Sequence, residues 1–203
     1  MQEFLATFFF LFAVIDPIGT VPVYLEATKE FDREHKRKIA LRACGIAFLI
    51  LLFFILIGQL IFEGMDVTLE AFQISGGVIL FLFALTMIFG DGKPEREKSQ
   101  ITDYKHVTIF PVAIPSIASP GAIMAVVILT DNHLYSVREQ AVTTLLVLAV
   151  IGLTSLILLT ANRVQQVIGS YGITVISKVM GLILASYAVQ NIMTGIKNYF
   201  QLG

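Results

Sequence analysis

The sequence predicts an all-α, polytopic membrane protein with six transmembrane helices, arranged as two inverted three-helix repeats with broken helices 1 and 4. Three observations lead there. The 203 residues are 56% hydrophobic and 14% charged, with a mean hydropathy of +0.82, whereas soluble domains carry about 45–50% apolar and about 25% charged residues. Several runs near 20 residues long contain no formal charge at all. Two of the apolar runs are interrupted by proline at matching places, Pro17 and Pro120. Open strands cannot satisfy their backbone in lipid, so the spans are helical. A net charge of −1 supplies no basic field for nucleic acid. A single cysteine, Cys44, excludes an intramolecular disulfide framework and a thiolate metal cluster.

A helix needs about 20 residues to cross about 30 Å of hydrocarbon. Span one covers Phe4–Tyr24. It follows the acidic start Met1-Gln2-Glu3 and no A-x-A-like site follows it, so it is expected to be a retained helix rather than a cleavable signal. Span two, Cys44–Phe62, has Gln59 as its only strongly polar member, and span three, Ala71–Phe89, is uncharged. Span four covers Thr108–Thr130, span five Ala141–Ala161 and span six Gly172–Ile196. Six such spans leave only short loops, so residues 1–203 form a single membrane domain. Repeat 1 covers 1–92, a cytoplasmic linker 93–105, and repeat 2 covers 106–203.

Orientation follows from basic residues in the connections. The first carries Lys29, Arg33, Lys36, Arg37, Lys38 and Arg42, the third Lys93, Arg96, Lys98 and Lys105, and the fifth Arg163. Only Arg138 and Lys197 stand on the opposite face. That asymmetry places the basic loops in the cytoplasm and both termini on the extracytoplasmic side of the cell (inner) membrane.

Sliding the chain on itself by about 103 residues sets span one on four, two on five and three on six. Asp16-Pro17 then falls on Ser119-Pro120, and Gly76 falls close to Gly181. Three spans per half force the halves to enter the membrane in opposite senses, the inverted repeat of secondary transporters. Asp16 and Ser119 are helix-capping types followed by proline, the pattern that starts a new helix. Each break therefore implies two half-helices whose freed backbone groups face protein or a wet cavity. A half-helix N-terminus suits a carboxylate or phosphate. A facing C-terminus suits an ammonium group or a coupling cation. Asp16, costing about 2.5–3.5 kcal/mol at a helix centre on insertion scales, is expected to bind an amine or cation or to carry a proton; a purely capping role is the alternative.

The segments Asp16-Pro17-Ile18-Gly19-Thr20-Val21-Pro22, Ile74-Ser75-Gly76-Gly77-Val78-Ile79-Leu80, Pro111-Val112-Ala113-Ile114-Pro115 with Ser119-Pro120-Gly121-Ala122-Ile123, and Gly181-Leu182-Ile183-Leu184-Ala185 resemble the signature segments of the MarC family of six-span prokaryotic inner-membrane proteins. The resemblance spans nearly the whole chain. It implies a bacterial or archaeal membrane protein similar to transporters of small neutral amino acids such as glycine and alanine.

The candidate solute-binding residues are Asp16, Pro17, Gly19, Thr20, Gln73, Ser119, Pro120, Gly121, Lys178, Gln190 and Asn191. Lys178 either snorkels to the cytoplasmic interface or serves as a counter-charge for Asp16 or a substrate carboxylate. Gln73 is a weaker candidate for the same path. Gln190 and Asn191 either line the path or hydrogen-bond across helices. Gly76-Gly77 and Gly181 are expected to be close-packing positions, and Thr143, Thr144, Thr154, Ser155 and Thr160 to bond to their own helices. His35, His106 and His133 stand singly, so no metal site is expected.

The expected function is secondary transport of a small polar solute, with the lipid bilayer and the solute as partners. No cofactor is expected beyond a coupling Na+ or H+. An exporter or flippase of a drug-like or lipid substrate would share the architecture. An intramembrane enzyme is not expected, because no G-x-S-x-G, H-E-x-x-H or paired-carboxylate pattern occurs. Oligomeric state leaves no mark in the composition.

Overall fold

A computed structural model describes residues 2–64, 68–89 and 104–201, and all its regular structure is helical among those residues. The linker 93–105 lies outside them except for its last two residues, as do residues 65–67 of the second connection. Helix α1 spans Gln2–Ile15, α2 Thr20–Ala27, α3 Arg33–Gly64 and α4 Leu69–Phe89. A short α5, Tyr104–Val107, runs into a wide π-helical segment, Thr108–Ile117, followed by α6 (Pro120–Leu129), α7 (Val137–Leu159) and α8 (Ala161–Tyr199).

Of the six crossings the sequence predicts, four satisfy the length and apolarity of a membrane span: Phe4–Ala27, Arg33–Ile61, Val137–Leu159 and Ala161–Tyr199. A fifth is the pair Tyr104–Ile117 and Pro120–Leu129, bent by 55°. The remaining apolar helix is shorter, over Gln73–Phe89.

Capping explains several boundaries. The Asp32 carboxylate accepts the His35 backbone N–H at 2.8 Å, opening α3. Ser136 and Glu139 form a reciprocal capping box at the start of α7. Where the sequence places a fifth loop around Arg163, the chain is instead helical directly after Thr160. The separation from the sixth span comes at Gly169, whose φ of +73° interrupts α8. Glycine accepts that left-handed backbone without a Cβ penalty.

The helices do not pack as two separate halves. Helix α4 lies along α8 over their most extensive interface; α3 packs on α7 and on the π segment; α2 packs on the π segment and α8; α1 packs on α6, α7 and α8. The glycines explain the closeness of the first pair. A Cβ at Gly77 would stand 3.0 Å from the Ala188 carbonyl oxygen, one at Gly181 would stand 3.1 Å from that of Ala84, and one at Gly195 3.1 Å from that of Glu70. Small residues let membrane helices approach backbone to backbone, as the sequence indicates for Gly77 and Gly181. Gly76 turns the other way, toward Met124 and Ile128 of α6.

Candidate functional site

Both interruptions are present, and they differ. In the first, α1 continues its ladder to Asp16, whose N–H donates to the Phe12 carbonyl at 2.9 Å. Asp16 then turns left-handed, with φ of +48°. Aspartate is among the few non-glycine residues enriched there, because its short side chain bonds locally. Its Oδ1 accepts the Gly19 N–H at 2.9 Å, and its carbonyl accepts the Thr20 N–H at 3.1 Å. Asp16 thus closes a turn over Pro17–Gly19 rather than capping the helix directly: regular helix resumes only at Thr20, with Gly19 as its N-cap, three residues later than the Asp16-Pro17 pattern indicates.

In the second, the half-helix that the sequence implies before Ser119 is irregular. Phe110 (φ −121°, ψ 122°) and Ile114 (φ −126°, ψ 130°) are extended within the π segment. Each precedes a proline, and proline disfavours helical backbone in the residue before it while removing a donor of its own. Both peptides, Phe110-Pro111 and Ile114-Pro115, are cis. Helix α6 then begins as the sequence indicates. Ser119 is its N-cap, Pro120 occupies the first turn, and Ser119 Oγ accepts the Ala122 N–H at 3.0 Å.

The two breaks meet. Thr20 Oγ1 donates to the Asp16 carbonyl at 3.0 Å and lies 3.4 Å from the Ser116 carbonyl oxygen, while Ser116 Oγ donates to Thr20 Oγ1 at 3.3 Å. Asp16 is 3% exposed and Thr20 and Ser119 are fully buried, so the junction is enclosed by protein. From the opposite side Ser177 of α8 donates to Asp16 Oδ2 at 3.4 Å. A Cβ at Gly19 would overlap the Asp16 carboxylate and lie 2.6 Å from Ser177 Oγ, so glycine keeps the space in which the carboxylate sits. Gly121 brings α6 against α4, where a Cβ would stand 3.1 Å from the Phe83 ring and 3.2 Å from Leu80.

The carboxylate and its surroundings form an asymmetric polar junction: an anion satisfied by one amide and one hydroxyl, beside hydroxyls and carbonyls of the second break. An ammonium or a small cation would be attracted to Asp16. A carboxylate would be attracted to the first turn of α6.

Asp16, Pro17, Gly19 and Thr20 form one side of this junction, and Ser119, Pro120 and Gly121 continue the chain from Ser116 on the other. Pro17 is buried and Pro120 exposed. Lys178 is half-buried next to Ser177 in the chain, and among the described residues no ion pair joins it to Asp16. Gln73, Gln190 and Asn191 lie elsewhere. From Ser177 to Asn191 is 14 residues of α8, about 21 Å at 1.5 Å per residue. Gln73 precedes Gly77 by one turn at that same far end, where Gly77 meets Ala188 and Ile192. Gln190 is exposed. Asn191 is buried, but its Nδ2 donates to the Tyr187 carbonyl of its own helix at 3.2 Å rather than across helices.

Ser116 and Ser177 escape sequence reasoning. A lone serine in an apolar helix ordinarily bonds to its own backbone, as Thr144, Thr154 and Thr160 do here at 2.8 Å each. Nothing local separates the two cases. Asp16 is also not alone as a buried acid: Asp131, after α6, is 5% exposed and accepts the His133 N–H at 2.7 Å. Among the described residues no group of three His, Cys, Asp or Glu side chains comes together to hold a metal.

A family model described as MarC family integral membrane protein matches residues 1–200. The chain is similar to the UPF0056 membrane protein of Pyrococcus horikoshii, 35% identical across 98% of this chain and 99% of the relative. It is also similar to that of Methanocaldococcus jannaschii (32%, covering 97% of each) and that of Buchnera aphidicola subsp. Baizongia pistaciae (30%, covering 100% of each). No solved structure matches. The matches extend over essentially the whole chain, and the chain belongs to the MarC family of integral, multi-pass membrane proteins.

Proposed function

We propose that the protein is a secondary transporter of a small polar solute, of the class of small neutral amino acids such as glycine and alanine. The observation that carries this reading is the buried Asp16 carboxylate at one helix break, linked through Thr20 to the other break at Ser116. An ionisable side chain inside a membrane protein is costly and marks ion or substrate pathways. Discontinuous helices meeting inside the bilayer are the usual construction of transporter sites. In this reading Asp16 attracts the ammonium of a zwitterion, and the Ser119–Ala122 turn attracts its carboxylate.

The packing supports an inverted repeat of six spans. Swapping the halves exchanges the pairing of α1 with α7 for that of the π segment with α3, the pairing of α4 with α6 for that of α8 with α2, and the pairing of α2 with the π segment for that of α6 with α1. The pairs α3 and α7, and α4 and α8, map onto themselves. A two-fold axis in the membrane plane produces that pattern. With the basic connections in the cytoplasm, both termini lie outside the cell (inner) membrane.

Uptake of labelled glycine and alanine into proteoliposomes, with imposed Na+ or H+ gradients, tests the proposal. Wild-type protein is expected to accumulate solute, and Asp16→Asn to lose uptake while keeping yield and helix content. Decarboxylated amines are expected not to compete. Uptake by Asp16→Asn at the wild-type rate would leave that residue a cap and remove the argument.

A further inference from the structure

We propose that α4 and α8 move as one rigid pair against the rest of the protein, and that Ser177 is the positioning residue latching this pair to the Asp16 break. The inference deepens the transport reading, and its structural part is measurable without it. The two sides of the pair are built differently. The seam between α4 and α8 is a close approach of the two backbones, with Gly77, Gly181 and Gly195 each facing a carbonyl of the other helix. Each glycine also receives a side chain of the other helix against its bare Cα, Ile192 at Gly77, Met87 at Gly181 and Ile74 at Gly195, and this interlocking keeps the two helices in register. The outer boundaries are made by side chains. Gly76 of α4 faces the end of Met124 on α6, a flexible thioether that repacks readily. The ring of Tyr187 on α8 packs against that of Phe10 on α1, tilted by 30° with ring centres 3.9 Å apart. Ser177 reaches Asp16 through a hydrogen bond of 3.4 Å, at the long limit for such contacts. A boundary of this kind slips before a glycine seam opens.

The latch sits on the same carboxylate that the transport reading assigns to the solute. An ammonium or a proton arriving at Asp16 competes with the Ser177 hydroxyl for Oδ2. Occupancy of the junction thereby frees α8 from the break, and α4 moves with it.

Labelling by a membrane-impermeant maleimide in sealed vesicles tests this, using single-cysteine reporters in a Cys44→Ala background. Phe10→Cys reports on the boundary between α1 and α8. Ala84→Cys and Ala188→Cys, both fully buried in the seam, report on its integrity. Adding Ser177→Ala is expected to speed labelling at Phe10→Cys by about three- to tenfold, the size of one ordinary hydrogen bond, as suits a contact of 3.4 Å. Both seam reporters stay slow, and Ser177→Thr, which keeps the hydroxyl, restores the slow rate at Phe10→Cys. Equal acceleration at all three reporters, or no change at Phe10→Cys, overturns the proposal. Vesicles that take up no solute would remove the transport reading and leave this result standing, so the two failures are distinguishable.

Discussion

Replacing Gly19 with alanine sets two effects against each other, and the structure decides between them. The Gly19 backbone is right-handed helical, with φ of −67° and ψ of −15°. On conformational grounds alone, alanine would stabilise this position by about 0.5–1 kcal/mol. The new Cβ would, however, overlap the Asp16 carboxylate and stand 2.6 Å from both Asp16 Cγ and Ser177 Oγ. The carboxylate must swing aside, losing the 2.9 Å bond from the Gly19 N–H. A hydrogen bond to a charged group contributes about 1.5–3 kcal/mol, so the loss outweighs the gain and leaves a net destabilisation of about 1–2 kcal/mol. At about 2–4 °C per kcal/mol for a chain of this length, Tm falls by about 2–8 °C. Thermal unfolding of detergent-solubilised protein measures this, with proteoliposome uptake alongside, which is expected to be lost. The internal control is the same substitution made on Asp16→Ala. With no carboxylate to displace, alanine at 19 should then be neutral or stabilising. A single variant as stable as wild type, or a double variant destabilised just as much, would refute the geometry at the break.

Ser119→Ala removes the side-chain acceptor of the Ala122 N–H and is expected to lower stability by about 1 kcal/mol, the usual contribution of an N-cap, read from the same unfolding curve. Gly181→Val forces a side chain against Met87, Ile88 and the Ala84 carbonyl. Overpacking of that kind costs about 1–3 kcal/mol, and Gly152→Val, at a position with open space around it, is the comparison that should stay much closer to wild type. Lys178→Gln is expected to keep uptake, since no ion pair ties Lys178 to Asp16 among the described residues; loss of uptake would instead make this lysine part of the site. Asp32 has its carboxyl held below the usual range, chiefly by the His35 backbone N–H and then by the His35 ring. Its contribution to α3 is present above the ordinary carboxylate pKa of about 4 and lost as pH falls through the lowered value. The difference in Tm between wild type and Asp32→Ala should therefore shrink on acidification; a difference independent of pH would contradict the cap.

Much of the site was legible because its signals are local. Asp16 followed by Pro17, and Ser119 followed by Pro120, announce helix starts through the chemistry of two adjacent residues; Ser119 caps α6 as they indicate, while Asp16 closes the turn that leads into α2. Even the irregular backbone at Phe110 and Ile114 follows from the prolines after them. Gln73, Gln190 and Asn191 show where that reasoning stops. Their polarity is evident in the sequence, but their distance from the breaks depends on which helix lies beside which.

The sequence by itself determined that this chain lives in a bilayer, that spans one and four break at Pro17 and Pro120, and that Ser119 caps the helix after the second break. Those facts depend on composition and on neighbours within one helical turn. Only the tertiary structure decided that Thr20 meets Ser116, that Ser177 reaches Asp16, and that α4 pairs with α8. The physical reason is the solvent. In water an apolar stripe reveals which face of a helix is buried, whereas lipid is as apolar as a neighbouring helix and leaves every face equally apolar. Partner choice then rests on small residues and single hydroxyls, whose meaning appears only when the opposing helix is in place.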